Sequence, residues 1–255
     1  MYYLPSVQDL TISLITVCFN AENTIEKCIR SVVDQCFKNI EYIVIDGGST
    51  DRTVEVIKRY KSNIKILVSE PDAGIYDAMN KGIRLASGQI IGTLNADDYF
   101  ADNSILSILA QEFIAESADI VYGDLDYVDE MGNIIRKWRS GLYKQGILEF
   151  GWMPPHPTFY CKRDLLMQSG LYRLDYGTAA DYELMVRMIK LPGLKISYIN
   201  KVIIKMKNGG ISNKTISNRV KAMVYDLKAM RNNGISIPLF TLVLKPLRKV
   251  IQFFT

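Results

Sequence analysis

An α/β fold, a single domain with a mostly parallel central sheet flanked by helices, is what the sequence predicts. Three observations point to it. Short, nearly unbroken apolar runs recur through the first hundred residues, as strands buried on both faces require. Segments with apolar residues at helical spacing lie between them. Each run also ends in a short polar or glycine-bearing turn, as strand–helix alternation with tight connections demands.

Taken in order, Thr-Ile-Ser-Leu-Ile-Thr-Val at 11–17 reads as the first strand and 20–24 as a polar turn. Ile25, Cys28, Ile29, Val32 and Val33 then mark a helix. Residues 41–45 form a second strand, closed by Asp46-Gly47-Gly48, and Val54, Ile57 and Tyr60 mark a second helix that Ser49 or Thr50 can cap. A third strand at 65–68 precedes a stripe of Ile75, Ala78, Met79, Gly82, Ile83 and Ala86, with Gly88 placed as its C-terminal stop. Residues 89–94 form a fourth strand, ending in Asn95-Ala96-Asp97-Asp98. Farther on, the pattern predicts strands at 119–122, 125–128 and 134–138, the last two flanking a hairpin turn at 129–133. A proline-rich loop at 153–157 follows, then a helix at 180–189 and another carried by Val220, Met223, Val224, Leu227 and Met230.

The 255 residues carry a net charge of +4, unevenly spread. Residues 201–255 hold 11 Lys and Arg against one acid, Asp226, a local +10 that leaves the first 200 residues at −6. A basic tail on an acidic body points to an anionic surface, and no nucleic-acid-binding motif accompanies it. The four cysteines (Cys18, Cys28, Cys36, Cys161) have no zinc or CxxC spacing, and Cys18 and Cys28 read as small buried hydrophobes in a reducing compartment. Residues 1–10 lack the basic and apolar regions of a signal peptide. No apolar run reaches the ~20 residues of a membrane span. The expected location is the cytoplasm.

In a parallel α/β sheet, ligands bind beyond the carboxyl ends of the strands. Those ends carry Phe19 and Asn20, Asp46, and Asp97 with Asp98. Adjacent acids after a buried strand need water, a cation or a helix end, and hard carboxylate oxygens suit Mg²⁺ or Mn²⁺ bridged to phosphates. The plainer reading is a turn whose Asp caps a helix starting near Ser104. Asp46 in Asp-Gly-Gly-Ser-Thr-Asp fits either a strand–helix turn or a contact to a base or ribose beside close-approaching backbone. Asp181 and Glu183, two apart on a helix, point to different sides, so that one can face a cleft and serve as general base while the other faces solvent. Alternatively, both simply favour the helix dipole. His156 is the only histidine, and with Trp152 it flanks or sits in the stiff Met-Pro-Pro-His-Pro loop. There it is either structural or set to meet a phosphate or metal, with the Trp offered to a sugar. Neither G-x-G-x-x-G after the first strand nor a P-loop is present.

Together these segments resemble a family. Their order is Phe19-Asn20, Tyr42-Ile43-Val44-Ile45-Asp46-Gly47-Gly48-Ser49-Thr50-Asp51, then Ser69-Glu70-Pro71-Asp72-Ala73-Gly74-Ile75-Tyr76-Asp77. Leu94-Asn95-Ala96-Asp97-Asp98, His156-Pro157-Thr158-Phe159 and Ala180-Asp181-Tyr182-Glu183-Leu184 follow. The set, over about residues 10–210, resembles glycosyltransferase family 2 of the GT-A fold, especially members that build bacterial surface polysaccharides. The resemblance implies an inverting transfer from a nucleotide-diphosphate sugar, a UDP-sugar above all, to a saccharide or lipid-linked acceptor. It implies that Phe19 lines the base, Asp46 hydrogen-bonds it, Asp72 lies near the nucleotide-sugar, Asp97 holds Mn²⁺ or Mg²⁺, and Asp181 is the general base. The first acid of the family's D-x-D element is Asn95 here, which keeps a carbonyl oxygen but no charge. The implied division is a transferase domain over 1–215, its donor half at about 10–100 and acceptor half at 101–215, with a basic helical region at 216–255.

In that last region Phe240, Val243, Leu244, Leu247, Val250, Ile251 and Phe254 share one helical face, and Lys245, Arg248, Lys249 and Gln252 the other. Such a helix either lies in a membrane interface or docks on the core. Two rival functions remain open at this stage. A sugar-nucleotide nucleotidyltransferase would need a glycine-rich basic loop after the first strand, and residues 18–24 contain neither Gly nor Lys/Arg. A non-catalytic nucleotide-sugar binder has Asn95 in its favour.

Overall fold

The computed structural model of the chain describes residues 7–207 and 216–251. Strands β1 (Ile12–Cys18), β2 (Ile40–Asp46), β3 (Ile66–Ser69) and β4 (Ile90–Asn95) pair in parallel in the order β3-β2-β1-β4. Order reverses between β1 and β4, so right-handed crossovers must put the intervening helices on opposite faces. They do. Helices α1 (Ile25–Val33) and α2 (Thr53–Lys58) pack on one face with Leu14, Tyr42 and Val44, while α3 (Ile75–Leu85) packs on the other with Ile15, Ile43 and Ile45. Helix α1 shows the cause: Ile25, Cys28, Ile29 and Val32, at helical spacing, are its buried residues. Cys18 and Cys28 are buried hydrophobes as expected.

The second half continues this sheet. It comprises β5 (Asp98–Phe100), α4 (Ile105–Ala115), β6 (Ile120–Val128), β7 (Ile134–Trp138), β8 (Tyr160–Lys162), α5 (Arg163–Ser169), α6 (Ala180–Ile189), β9 (Ile196–Lys207), α7 (Ile216–Asn232) and α8 (Pro238–Ile251). Short β8 is antiparallel to both β4 and β6 and joins the two halves; β6 then pairs in parallel with β9, and β9 antiparallel with β5. The β6–β7 hairpin forms where the sequence predicts it. Helices α7 and α8 contact each other; α7 also packs against α6, and α8 against the turn at Ile147–Phe150.

Several expectations need correction. The strands read at 119–122 and 125–128 are one strand, β6, because the register against β9 only shifts at Gly123 and resumes at Asp124. Gly88 is not a left-handed helix stop: α3 ends at Leu85, and a Cβ at Gly88 would lie 2.7 Å from the Ser13 hydroxyl. Neither Ser49 nor Thr50 caps α2. Asp51 accepts the Thr53 amide hydrogen at 2.9 Å, while Ser49 is drawn to Asp46. The helix after Ser104 is served by Asp102, not by Asp97 or Asp98. Glu183 does not face solvent; it is fully buried, 3.0 Å from Arg187 and 3.4 Å from Arg173. On α7 the predicted stripe is split, with Met230 buried but Val220, Met223 and Val224 exposed. Gln252 and Phe254 of the terminal stripe lie outside the described residues.

Gly82 offers a test of packing against propensity. Alanine in a helix interior is favoured over glycine by about 1 kcal/mol. Yet a Cβ at Gly82 would lie 2.4 Å from Ile15 Cγ2 in the core beneath α3. Overpacking of this kind costs about 1–3 kcal/mol. Gly82→Ala should therefore lower stability in urea unfolding, and a gain would show that Ile15 yields without strain.

Candidate active site

The strand order reverses between β1 and β4, and the carboxyl ends of these strands are where such a sheet takes a ligand. Two turns build one side of this region. Asn20, with a left-handed backbone (φ 48), accepts the Thr50 amide hydrogen at 2.9 Å, and the Asn20 amide donates to the Ser49 hydroxyl at 2.8 Å. Ala21 N–H donates to Thr53 Oγ1 at 2.7 Å, and Arg52 pairs with Glu22 at 3.1 Å. Stitched between these turns, Phe19 stands 62% exposed.

Asp46 is fully buried behind them. Its Oδ2 accepts from the Gly48 and Ser49 amides at 3.2 and 3.1 Å and from the Ser69 hydroxyl at 2.7 Å, and its Oδ1 accepts from Ser49 Oγ. Gly48 takes φ 82, a region open to glycine at little cost. Asp72 packs on this turn: a Cβ at Gly47 would come 2.5 Å from its Oδ2, and its Oδ1 accepts the Gly74 amide hydrogen at 2.8 Å.

At the end of β4, Asp97 is exposed and Asp98 fully buried. Asp98 Oδ2 accepts from Asn95 Nδ2 at 3.1 Å. The remaining oxygens of this pair, Asn95 Oδ1 and Asp98 Oδ1, are buried with no hydrogen-bond partner. Desolvation, reinforced by the charge of Asp97, holds the Asp98 carboxyl well above its usual range, and desolvation also raises that of Asp97. The unpartnered Asn95 Oδ1 beside the open carboxylate of Asp97 is a hard oxygen donor short of a counterpart, and the pair fits a divalent cation. Among the described residues no cluster of three or more His, Cys, Asp or Glu side chains could hold a metal ion. The donor set therefore suits an ion shared with substrate phosphates rather than a closed protein cage.

The other sequence-predicted residues meet in a second place, a cleft of about 600 Å³ lined by Asp181, His156 and Trp152. Asp181 opens α6 and its Oδ1 accepts the Tyr182 amide hydrogen at 2.7 Å. His156 Nε2 lies 2.7 Å from the Tyr172 hydroxyl. Burial keeps the imidazole below its usual 6.5, and the nearby Asp181 charge opposes this only in part, so the ring is neutral at pH 7. Trp152 is buried rather than presented: its indole N–H donates to the Ser140 carbonyl at 2.7 Å, and its ring meets Tyr122 edge-on at 5.6 Å. The two groups are not isolated. Met206 stands opposite Asp98 in the β5–β9 ladder and opposite Tyr127 in the β6–β9 ladder, and both Met206 and Tyr127 line the cleft.

Sequence reasoning missed several participants. Asn80 on α3, buried, exchanges two 2.9 Å hydrogen bonds with the Tyr172 backbone and so sets the ring that holds His156. Arg139, paired with Asp126 at 2.7 Å, lines the cleft with Trp138. The basic–aromatic run Arg136-Lys137-Trp138-Arg139 was the available signal for that wall. The wall supplied by α7 and α8 (Met223, Leu242, Lys245, Pro246) had none, because it depends on tertiary docking.

Acids at the carboxyl ends of a parallel half-sheet, with a second carboxylate in a cleft of the other half, are the arrangement expected of a GT-A transferase. The comparisons agree. The model for "Glycosyl transferase family 2" matches residues 13–170, and the chain belongs to that family. A "PGL/p-HBAD biosynthesis glycosyltransferase" of Mycobacterium bovis is 31% identical over 207 residues, covering 79% of this chain and 78% of its own. Among solved structures, a mannosyltransferase from Pyrobaculum calidifontis in complex with GDP-Man and Mn²⁺ superposes with a TM-score of 0.67 at 18% identity, covering 92% of this chain and 70% of that one. S. aureus TarS superposes with a TM-score of 0.66 at 18% identity over 89% of this chain, which spans 40% of that longer protein. Its fragment 1–349 in complex with UDP gives 0.65 at 17% identity, covering 88% of this chain and 66% of the fragment. At these identities the likeness establishes the GT-A fold.

Asp98 supplies a test by pH. A carboxyl whose pKa rises on folding keeps its proton in the folded state after the unfolded chain has released it. Stability then falls as pH rises from about 4 until Asp98 ionises. Asp98→Asn retains an acceptor for Asn95 but removes this titration. In thermal melts across pH 4–8 without divalent cations, the variant should lose less stability with rising pH than the wild type. Parallel curves would mean that Asp98 ionises in its ordinary range.

Proposed function

We propose that this transferase inverts the anomeric centre of a UDP-sugar while moving the sugar to a hydroxyl of a saccharide or lipid-linked acceptor. In this reading it serves the building of a bacterial surface polysaccharide such as O-antigen or capsule, at the cytoplasmic face of the membrane. The observation that carries the reading is the cleft with Asp181 in its wall, lined also by Met206, the ladder partner of Asp98 at the end of the donor half. The "in complex with UDP" of the TarS fragment and the GDP-Man and Mn²⁺ of the archaeal mannosyltransferase supply the donor class and the cation.

Phe19, exposed beyond β1, lines the base. Asp46, whose carboxylate is already saturated by its own turn, contributes by holding Gly48 and Ser49 in place, and a base contact would go through that turn. Asp72 flanks the nucleotide-sugar. Asp97 and the Asn95 oxygen would hold Mn²⁺ or Mg²⁺, which would offset the charge on the leaving diphosphate. In the acceptor half, the Asp181 carboxylate takes the proton from the acceptor hydroxyl as its oxygen bonds to the anomeric carbon. The bond to the diphosphate breaks with its electron pair leaving on UDP. Neutral His156, held by Tyr172, orients the acceptor or diphosphate from the same wall, and Trp152 supports the cleft floor. The helical region from 216 closes the acceptor side.

Two measurements test this. Ligand at 100-fold over its Kd stabilises the native state by about 2.7 kcal/mol, or roughly 5–10 °C in Tm for a chain of this size. A UDP-sugar should give that shift with Mn²⁺, and Asp97→Ala should abolish it; no shift with UDP-, GDP- or dTDP-sugars would overturn the donor assignment. Asp181→Asn should keep the donor shift and lose about 10²–10⁴-fold in kcat. Near-normal turnover would remove Asp181 as the base.

A further inference from the structure

Helix α8 is docked in the reverse of the usual sense. An amphipathic helix normally turns its apolar stripe to the core and its charges to water. Here the charged face looks inward. Lys245 Nζ lies 2.7 Å from Asp226 Oδ2 and 3.5 Å from the centroid of the Tyr182 ring. The Thr241 hydroxyl, fully buried, donates to the Glu149 carbonyl at 2.6 Å, and Arg248 Nε donates to the Phe150 carbonyl at 2.9 Å. The seat is close: a Cβ on Gly151 would lie 2.6 Å from the Lys245 backbone nitrogen. The outward face carries Leu239, Phe240, Val243 and Leu247, each between 48% and 62% exposed, and Val220 and Val224 of α7 are exposed as well.

Such a surface is costly to leave in water, and its charge selects the occupant. The only acid of α7 and α8 is Asp226, and Lys245 neutralises it. Lys221 and Arg231 of α7 are exposed. A second copy meeting this patch across a two-fold axis would bring like charges together. An anionic lipid surface satisfies both features, taking the apolar side chains into the headgroup–acyl boundary and attracting the cations. No helix among the described residues is long and apolar enough to cross a membrane.

We propose that the outer face of α8, with the exposed apolar residues of α7, docks this protein on an anionic bilayer. The inner side of the same helix lines the cleft of Asp181 through Leu242, Lys245 and Pro246. The cleft is thus separated from the lipid by one helix diameter, about 10 Å. On the transferase reading above, the acceptor is then a saccharide anchored in that bilayer by a lipid.

The test is co-sedimentation of the full chain with vesicles of phosphatidylglycerol and phosphatidylcholine, or of phosphatidylcholine alone. Binding should favour the anionic vesicles and weaken with salt. Val243→Glu/Leu247→Glu alters only outward residues, so its Tm and its UDP-sugar shift should match the wild type. Its vesicle partition should fall about tenfold or more. Wild-type protein that stays in the supernatant would overturn the proposal, as would a double variant that pellets equally. A wild-type dimer in light scattering that the variant converts to monomer, without vesicle binding, would assign the face to a second copy instead. The UDP-sugar shift is read separately, so loss of vesicle binding and failure of the transferase reading are distinguishable.

Discussion

The front of this molecule depends on one buried carboxylate. Asp46 ends β2 with no solvent contact, yet its two oxygens gather donors from the Gly48–Ser49 turn and from Ser69 at the end of β3. The Cys18 thiol at the end of β1 lies within 3.6 Å of it as well. An ion in such a place is tolerable only when its lone pairs are satisfied, and these are. Three strand ends are therefore fixed relative to one another by a single group, and everything beyond them inherits that order. Burial and the Asp46 charge also keep the Cys18 thiol protonated, so the cysteine here is packing, not a nucleophile.

What is inherited first is the pair of loops beyond these strand ends. Ser49, drawn in by Asp46, receives the Asn20 amide, and Asn20 returns a bond to Thr50. The left-handed Asn20 turns the chain so that Phe19 projects into the open. An aromatic ring on a surface loop would ordinarily be mobile; here the backbone on either side of it is bonded to a neighbouring turn. At the end of β4 the opposite holds. Asn95 and Asp98 satisfy each other once and leave an oxygen each without a partner. The satisfied site is the scaffold and the unsatisfied one is where a ligand has something to contribute, a contrast expected when local rules are broken at functional positions.

This contrast also explains what could be read from the sequence. Strands buried on both faces announce themselves as apolar runs, so β1 to β4 and the acids at their ends were legible. The second half was not. Strands β5 and β8 are three residues long, too short for a period, and the alternation in β9 is broken by Asn200 and Lys201. Helix α4 is apolar nearly all round, so it shows no stripe although it is well buried. Spacing on a helix puts Asp181 and Glu183 on different sides but does not say what lies on either; beside Glu183 lies Arg187, which also holds the carbonyls of Gly170 and Leu171. Spacing leaves Asp181 and Glu183 as alternatives and only the resemblance singles out Asp181; its companions Tyr127, Arg139 and Lys245 come from strands and helices far apart in the chain.

The docking of α8 shows where pattern reasoning reaches its limit. A hydrophobic stripe fixes which residues share a face, and the sequence placed Phe240, Val243 and Leu247 together correctly. It does not fix the sign of the orientation. That sign depends on whether the core offers a better partner to the charged face than to the apolar one. Here it does: Asp226 and the face of Tyr182 receive one ammonium group, and the carbonyls of the Ile147–Phe150 turn, otherwise in need of donors, receive Thr241 and Arg248. Ion pairs that are half sheltered and backed by an aromatic ring exceed the small contribution of an exposed pair, and the carbonyls would be left unsatisfied by an apolar face. The polar side of the helix thus meets a demand inside the protein, and its apolar side is left to meet one outside it.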